Sequence, residues 1–136
     1  MSTGPQTTRL EKDSMGTKEI PADVYYGIQT LRAVENYPIS GMKAHPTLIR
    51  AFGMVKRAAA EANKELGLVD DKRADAIIRA AQEVIDGKCN PQFVVDVFQA
   101  GAGTSYHMNI NEILANRAIE ILGGPRGHSG AHAYGQ

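Results

Sequence analysis

The feature that most constrains this chain is a glycine-rich turn followed by a strongly patterned stretch, residues 96–122, which read DVFQAGAGTSYHMNINEILANRAIEIL. If a helix begins near Thr104 and advances by ~100° per residue, its polar and apolar side chains separate onto opposite sides. The polar stripe contains Ser105, Asn109, Glu112, Asn116 and Glu120, and the apolar stripe contains Ile110, Leu114, Ala118 and Ile121. The apolar stripe predicts a core-facing side. Asparagine is unfavourable inside helices, so the polar stripe indicates either a functional face or a solvated one.

The turn itself has the residues of an anion-binding loop. Gly101 and Gly103 allow backbone angles and close approaches that side chains would block. Thr104 and Ser105 follow where a helix exposes its first unpaired N–H groups, next to the positive end of its dipole. An ordinary hydroxyl cap after a flexible turn is the simpler alternative for so short a pattern. A dinucleotide-binding fingerprint is excluded, because Tyr106 occupies the place of its third glycine.

Composition excludes several broad classes of protein. The 136 residues suffice for one domain with a real core, and 15 acidic residues balance 15 basic ones. This balance provides no electrostatic footprint for nucleic acid or anionic membrane, and no apolar run approaches the ~20 residues of a membrane span. Residues 1–10 lack the apolar core of a signal peptide, so we expect a cytoplasmic location. Cys89, the single cysteine, is more often inert than nucleophilic in such a context.

The two ends of the chain are predicted to be irregular. Residues 1–8 are polar and predicted to be disordered, whereas residues 9–21 read as a small β-hairpin. Residues 125–136 form a Gly- and His-rich tail without periodicity. His128 and His132 have a spacing that could hold a metal on a helix, but the glycines and the lack of a third ligand favour a flexible tail without a metal.

Residues 9–124 are predicted to form a mainly α-helical domain with this minor hairpin. The first helix is expected to begin from a cap at Asp23 and to end before Pro38. Its predicted buried positions are Tyr25, Tyr26, Leu31 and Val34, and its predicted exposed positions are Gln29, Thr30 and Arg32.

Two more helices precede the glycine turn. The second begins at Pro46, and its apolar residues recur at alternating gaps of four and three, which predicts the clearest core stripe in the chain. This stripe contains Leu48, Phe52, Val55, Ala59, Ala62 and Leu66. The third helix is capped by Asp70 or Asp71. Its predicted inward positions are Ala74, Ile77, Ala81, Val84 and Ile85.

Three segments of the chain resemble, in the right order, those of the aspartase/fumarase superfamily. The segment QAGAGTSYHMNINEILANRA resembles the first signature of that superfamily, G-[SA]-G-T-S-x-N-M-N-x-N-E. The segments EKDSMGTKEIPADVYYGIQTLRAVENYPISG and GKCNPQFVVDVFQ resemble its opening segment and the run that leads into the glycine turn. GAGTS and YGIQTLRA are more similar to aspartate ammonia-lyase than to class II fumarase. The resemblance therefore implies the N-terminal domain of an aspartate ammonia-lyase.

This resemblance implies the reversible β-elimination of ammonia from L-aspartate to give fumarate. Removing a proton beside a carboxylate creates a dianion, which hydroxyls and helix N-terminal amides would stabilise without a metal or organic cofactor. By resemblance, Thr104 and Ser105 contact the substrate carboxylate, and Asn109 belongs to the same substrate-binding segment. His107 departs from the asparagine of the signature, and its expected place near the apolar side favours a structural histidine. The alternatives are a class II fumarase acting on malate and a non-catalytic interaction fragment.

The resemblance also implies that this chain carries no catalytic residue. In the superfamily, the base is a serine on a Gly-Ser-Ser loop of a long central helical domain, and three subunits of a homotetramer build each active site. The chain departs from the superfamily's next segment near Gly127. We therefore expect a lyase N-terminal domain that is inactive, or nearly so, by itself.

Overall fold

The computed structural model describes residues 7–127, which form one antiparallel β-hairpin and four α-helices. The strands are β1 (Thr8–Asp13) and β2 (Gly16–Pro21). The helices are α1 (Ile28–Asn36), α2 (Pro46–Glu65), α3 (Asp71–Ile85) and α4 (Thr104–Ile121), with a short 3₁₀ turn at Asn90–Gln92. The prediction of a mainly helical fold with a small hairpin is confirmed. No helix within residues 7–127 has the length and hydropathy that crossing a membrane requires.

The predicted irregular ends lie largely outside the described residues. Of the N-terminal residues 1–8, only the last two are described, and Thr8 already begins β1. The tail prediction for residues 125–136 falls mostly beyond Gly127, and His128 and His132 are both outside the described part of the chain. Both remain predictions.

Helix α4 occupies the centre of the domain, and ten of its 18 residues are buried. It packs against both α1 and α3. The main core cluster includes Ile49, Ala80, Ala81, Val84, Phe93, Ile110, Ile113 and Leu114. The predicted apolar stripe of α4 is confirmed, because Ile110, Leu114 and Ala118 are buried and Ile121 packs against the core.

Helix α3 begins where the sequence predicts, because the Asp70 side chain accepts a hydrogen bond from the N–H of Arg73. The predicted inward residues Ala74, Ala81 and Val84 are buried, and Ile77 and Ile85 are half-buried. Two further alanines, Ala76 and Ala80, are also buried. Their burial follows from the position of α3, which packs against α2 on one side and α4 on the other.

The predicted core stripe of α2 is wrong. Its exposed members are Leu48, Val55, Ala59, Ala62 and Leu66, and Phe52 is half-buried. The buried residues are instead Ile49, Gly53 and Ala60, each one position beyond a member of the predicted stripe and thus ~100° further around the helix. Periodicity detects an apolar face, but it carries no information about which face meets the rest of the domain.

Helix α1 begins at Ile28, not after the predicted cap at Asp23. The segment before α1 is held by a contact with β1. The guanidinium group of Arg9 donates to the carbonyl oxygens of Val24 and Tyr26 at 2.7 and 2.8 Å. These bonds satisfy two carbonyl groups of an irregular segment that has no helical turn to pair them.

Candidate functional site

The glycine turn adopts a backbone that favours glycine at two positions. Gly101 has a φ of +64° and Gly103 a φ of +89°, both in the left-handed region. Helix α4 begins directly afterwards at Thr104, as the sequence predicts. The turn therefore leads directly into the start of an 18-residue helix, where the positive end of the helix dipole lies.

Two hydroxyl groups and two backbone N–H groups are unpaired at this helix start. Among residues 7–127, no group accepts a hydrogen bond from the N–H of Thr104 or Ser105, and neither hydroxyl has a partner. The next N–H, that of Tyr106, is occupied by the side-chain oxygen of Gln99 at 3.0 Å. Thr104 is exposed, and Ser105 is 8% exposed. No described side chain has a fully buried polar atom without a partner, so the unpaired Ser105 hydroxyl retains some accessible surface. Four donors at the start of one helix are thus free to bind an anion.

A buried carboxylate, Asp96, holds the chain that leads into the turn. It accepts hydrogen bonds from the N–H groups of Ser40, Gly41 and Phe98 at 2.8–2.9 Å, and from the Ser40 hydroxyl at 2.9 Å. Burial alone would raise the pKa of Asp96, but these hydrogen bonds outweigh it and hold the pKa well below its ordinary value. Gln99 then bonds the Asp96 carbonyl oxygen at 2.9 Å.

Asp96 and Gln99 are the supporting residues that sequence reasoning missed. Asp96 interrupts the apolar run FVVDVF, and a carboxylate in such a run is the only signal that could have identified it. Gln99 offered no signal, because its role depends on the folded geometry of the turn.

Asn109 is fully buried one helical turn after Ser105. Its side-chain oxygen accepts from the N–H of Val94 at 3.1 Å, and its side-chain nitrogen donates to the carbonyl of Gln92 at 3.0 Å. These bonds attach α4 to the connector that precedes the glycine turn. The predicted substrate contact of Asn109 remains a prediction.

The solvated-face alternative for the polar stripe is wrong, because the stripe is turned into the protein. Glu112 is 7% exposed and its carboxylate caps α1. It accepts from the N–H groups of Gly27, Gln29 and Thr30 at 2.8–3.0 Å and from the Thr30 hydroxyl at 2.5 Å. Burial raises the pKa of Glu112, while these bonds oppose the rise. Thr30, predicted to be exposed, is fully buried for the same reason.

The far end of the polar stripe also has a structural role. Asn116 donates to the carbonyl of Tyr25 at 2.8 Å, and the Tyr25 hydroxyl donates to Glu120 at 2.6 Å. Glu120 also accepts from Arg117 and Arg126 at 2.5 Å. Burial would raise the pKa of Glu120, but its hydrogen bonds lower it to about 2. Among the stripe residues, only Ser105 therefore contributes an unpaired group to the glycine turn.

Two residues singled out by the sequence lie outside this loop. His107 is exposed, so it is not packed in the core, and its structural role stays a prediction. Its Nε2 lies 3.0 Å from the ammonium group of Lys56. Partial desolvation and the Lys56 charge lower the pKa of His107. Cys89, predicted to be inert, is buried, and burial raises the pKa of its thiol to about 11.

Comparison with known proteins agrees with the superfamily resemblance. A family profile described as lyase matches residues 16–134. An aspartate ammonia-lyase from a Bacillus species is 56% identical over 120 residues, which cover 88% of this chain and 26% of the relative. A class II fumarate hydratase from Halobacterium salinarum is 60% identical over 115 residues, which cover 85% of this chain and 24% of the relative.

The fold agrees as well. A crystal structure of a fumarate lyase:delta crystallin from Brucella melitensis bound to cobalt superimposes with a TM-score of 0.90 at 50% identity, over 95% of this chain and 29% of the other. The chain thus spans about a quarter of the length of the curated relatives it matches. It belongs to the lyase family of the aspartase/fumarase superfamily and corresponds to the N-terminal domain of that family.

Proposed function

We propose that this chain is the N-terminal domain of an ammonia-lyase that eliminates ammonia reversibly from L-aspartate to give fumarate. The observation that carries the proposal is the set of unpaired donors at the start of α4. The hydroxyls and N–H groups of Thr104 and Ser105 have no partner within residues 7–127, although Gln99 and Asp96 hold the surrounding turn. A preorganised donor set without an acceptor suits a small carboxylate ligand.

The reaction explains why such donors are needed. Removal of the proton beside a carboxylate leaves an aci-carboxylate with a second negative charge, and donors that already point at this charge stabilise it without reorganisation. In the proposal, Thr104 and Ser105 bind that carboxylate. Asn109 completes the substrate-binding segment, and its bonds to the connector keep the turn in place. No metal or organic cofactor takes part in this scheme.

The 136 residues alone are expected to show no turnover. In the resemblance, the catalytic base belongs to a central domain, and this chain spans about a quarter of the relatives' length. The purified chain should therefore form no fumarate from L-aspartate when the absorbance of fumarate is followed. Sustained fumarate formation would contradict this part of the proposal.

A chimera tests the role of the glycine turn. The matching segment of the Bacillus aspartate ammonia-lyase is replaced by this chain, and turnover of L-aspartate is measured. Thr104→Val and Ser105→Ala should each lower turnover by about 10²–10³-fold, the usual cost of losing one transition-state donor. Thr17→Val, at an exposed position of β2, is the matched control and should leave turnover unchanged. Wild-type turnover of the Thr104→Val chimera would remove the assigned role.

A class II fumarase is the second candidate, favoured by the 60% identity to the Halobacterium enzyme. The chemistry at the carboxylate is the same, with water in place of ammonia. A second chimera in the Halobacterium fumarate hydratase separates the candidates. If the chain sustains malate dehydration there but fails to support aspartate turnover in the Bacillus enzyme, the fumarase assignment replaces the ammonia-lyase one.

A non-catalytic interaction domain is the third candidate, favoured by the apolar face that α2 leaves uncovered. Val55 is 66% exposed and Leu66 is 72% exposed. Exposed apolar surface of this kind marks a contact with another protein or domain. Co-purification of the inactive chain with a complete lyase would favour this candidate, and a pull-down without a lyase would count against it.

A further inference from the structure

A cavity of about 160 Å³ lies between α2, α3 and α4. Its walls are mainly apolar, and none of the described residues that line it is acidic. The apolar lining residues are Ala59, Ala60, Val69, Ala74, Ile77, Leu114 and Ala115, and the polar ones are Lys56, Asn63 and Asn111. No residue of the glycine turn or of the Thr104–Ser105 pair contributes to it. The cavity is therefore separate from the site proposed above.

Among the described residues that line the cavity, Lys56 alone is charged. Within residues 7–127, its ammonium group meets no carboxylate and lies 3.0 Å from His107 Nε2. Burial lowers the pKa of Lys56, as expected for a cation that is partly removed from water without an opposite charge. Binding an anion at this position would offset the cost of that desolvation.

The two asparagine side chains add hydrogen-bonding groups that the fold leaves unused. Asn111 is 7% exposed, and its one polar contact is a long one, 3.4 Å to His107 Nε2. The side-chain amide of Asn63 has no partner in the described part of the chain. Neither amide is a buried group without a partner, so each has hydrogen-bonding capacity that water or a ligand can use.

We propose that this cavity binds a short aliphatic carboxylate, with the carboxyl group at Lys56 and Asn111 and the hydrocarbon chain against the apolar wall. The size of the cavity sets the length of the ligand. A cavity of about 150 Å³ holds a benzene molecule, which has six heavy atoms. Butyrate also has six heavy atoms and is the natural probe. This proposal does not depend on the lyase assignment, so each can be tested without the other.

Titration of the ¹⁵N-labelled chain with sodium butyrate, followed by NMR, tests the proposal. The side-chain amide signals of Asn63 and Asn111 should shift saturably, and butyramide, which lacks the charge, should bind about tenfold more weakly. Lys56→Met should weaken butyrate binding by a similar factor. Ala59→Leu should prevent binding, because it fills the cavity from an exposed position of α2 that tolerates a larger side chain.

A matched control decides between this cavity and non-specific binding to lysines. Lys72→Met removes an exposed lysine from α3 and should bind butyrate like the wild type. The proposal is overturned if butyrate causes no saturable shift of the Asn63 and Asn111 signals, or if Lys72→Met weakens binding as much as Lys56→Met. If Lys56→Met does not give a folded spectrum, Lys56→Gln provides the same comparison with a polar side chain.

Discussion

Glu112→Ala removes the carboxylate that joins α4 to the start of α1. Two of the groups it accepts from, the N–H groups of Gly27 and Thr30, are buried. A buried donor left without a partner costs about 1–3 kcal/mol, so the two together predict a loss of about 2–6 kcal/mol in the free energy of unfolding. Domains of this size are typically stable by about 5–15 kcal/mol, so the variant should fold but be strongly weakened.

Urea unfolding followed by far-UV circular dichroism measures this loss, provided that the m-value is unchanged. Glu112→Gln should lose less, because an amide oxygen in the place of Oε2 keeps the bonds to Gly27 and Thr30. Glu65→Ala, at an exposed position of α2, is the control and should change stability by less than about 0.5 kcal/mol. If Glu112→Ala unfolds at the same urea concentration as this control, the carboxylate does not hold α1 and the reasoning is refuted.

Three further predictions concern packing and acid stability. In urea unfolding, Ile49→Ala should lower the free energy of unfolding by about 2–5 kcal/mol, because Ile49 is 2% exposed. Leu48→Ala, at a neighbouring position that is 40% exposed, should lower it by less than about 1 kcal/mol. Gly53→Ala should lower the melting temperature despite the better helix propensity of alanine, because its Cβ would lie 2.9 Å from a side-chain atom of α3. Asp96 and Glu120 have lowered pKa values in the fold. Their stabilising effect is therefore complete above their unfolded pKa values of about 4 and is lost as the pH falls below them. The urea concentration at the midpoint of unfolding should therefore decrease as the pH is lowered from about 5 to 2, and this decrease should be smaller for Asp96→Asn.

The sequence by itself determined the family, the fold class and several helix boundaries. These features depend on residues that are close together in the chain. Proline at the first position of α2, the aspartate cap of α3 and the glycines before α4 each specify a boundary through their own backbone and side-chain geometry. The signature around Thr104 is likewise contiguous, so it could be compared with a known pattern directly.

Only the tertiary structure decided which face each helix buries and which polar groups remain free. The bond between Glu112 and the N–H of Gly27 joins residues 85 positions apart, and Arg9 in β1 binds a carbonyl group of the segment before α1. Periodicity identified an apolar face on α2, but burial followed the position of α3 instead. The physical reason is that hydrogen bonds and packing depend on distance in space, and a local pattern shows what a side chain can bind without showing what it meets.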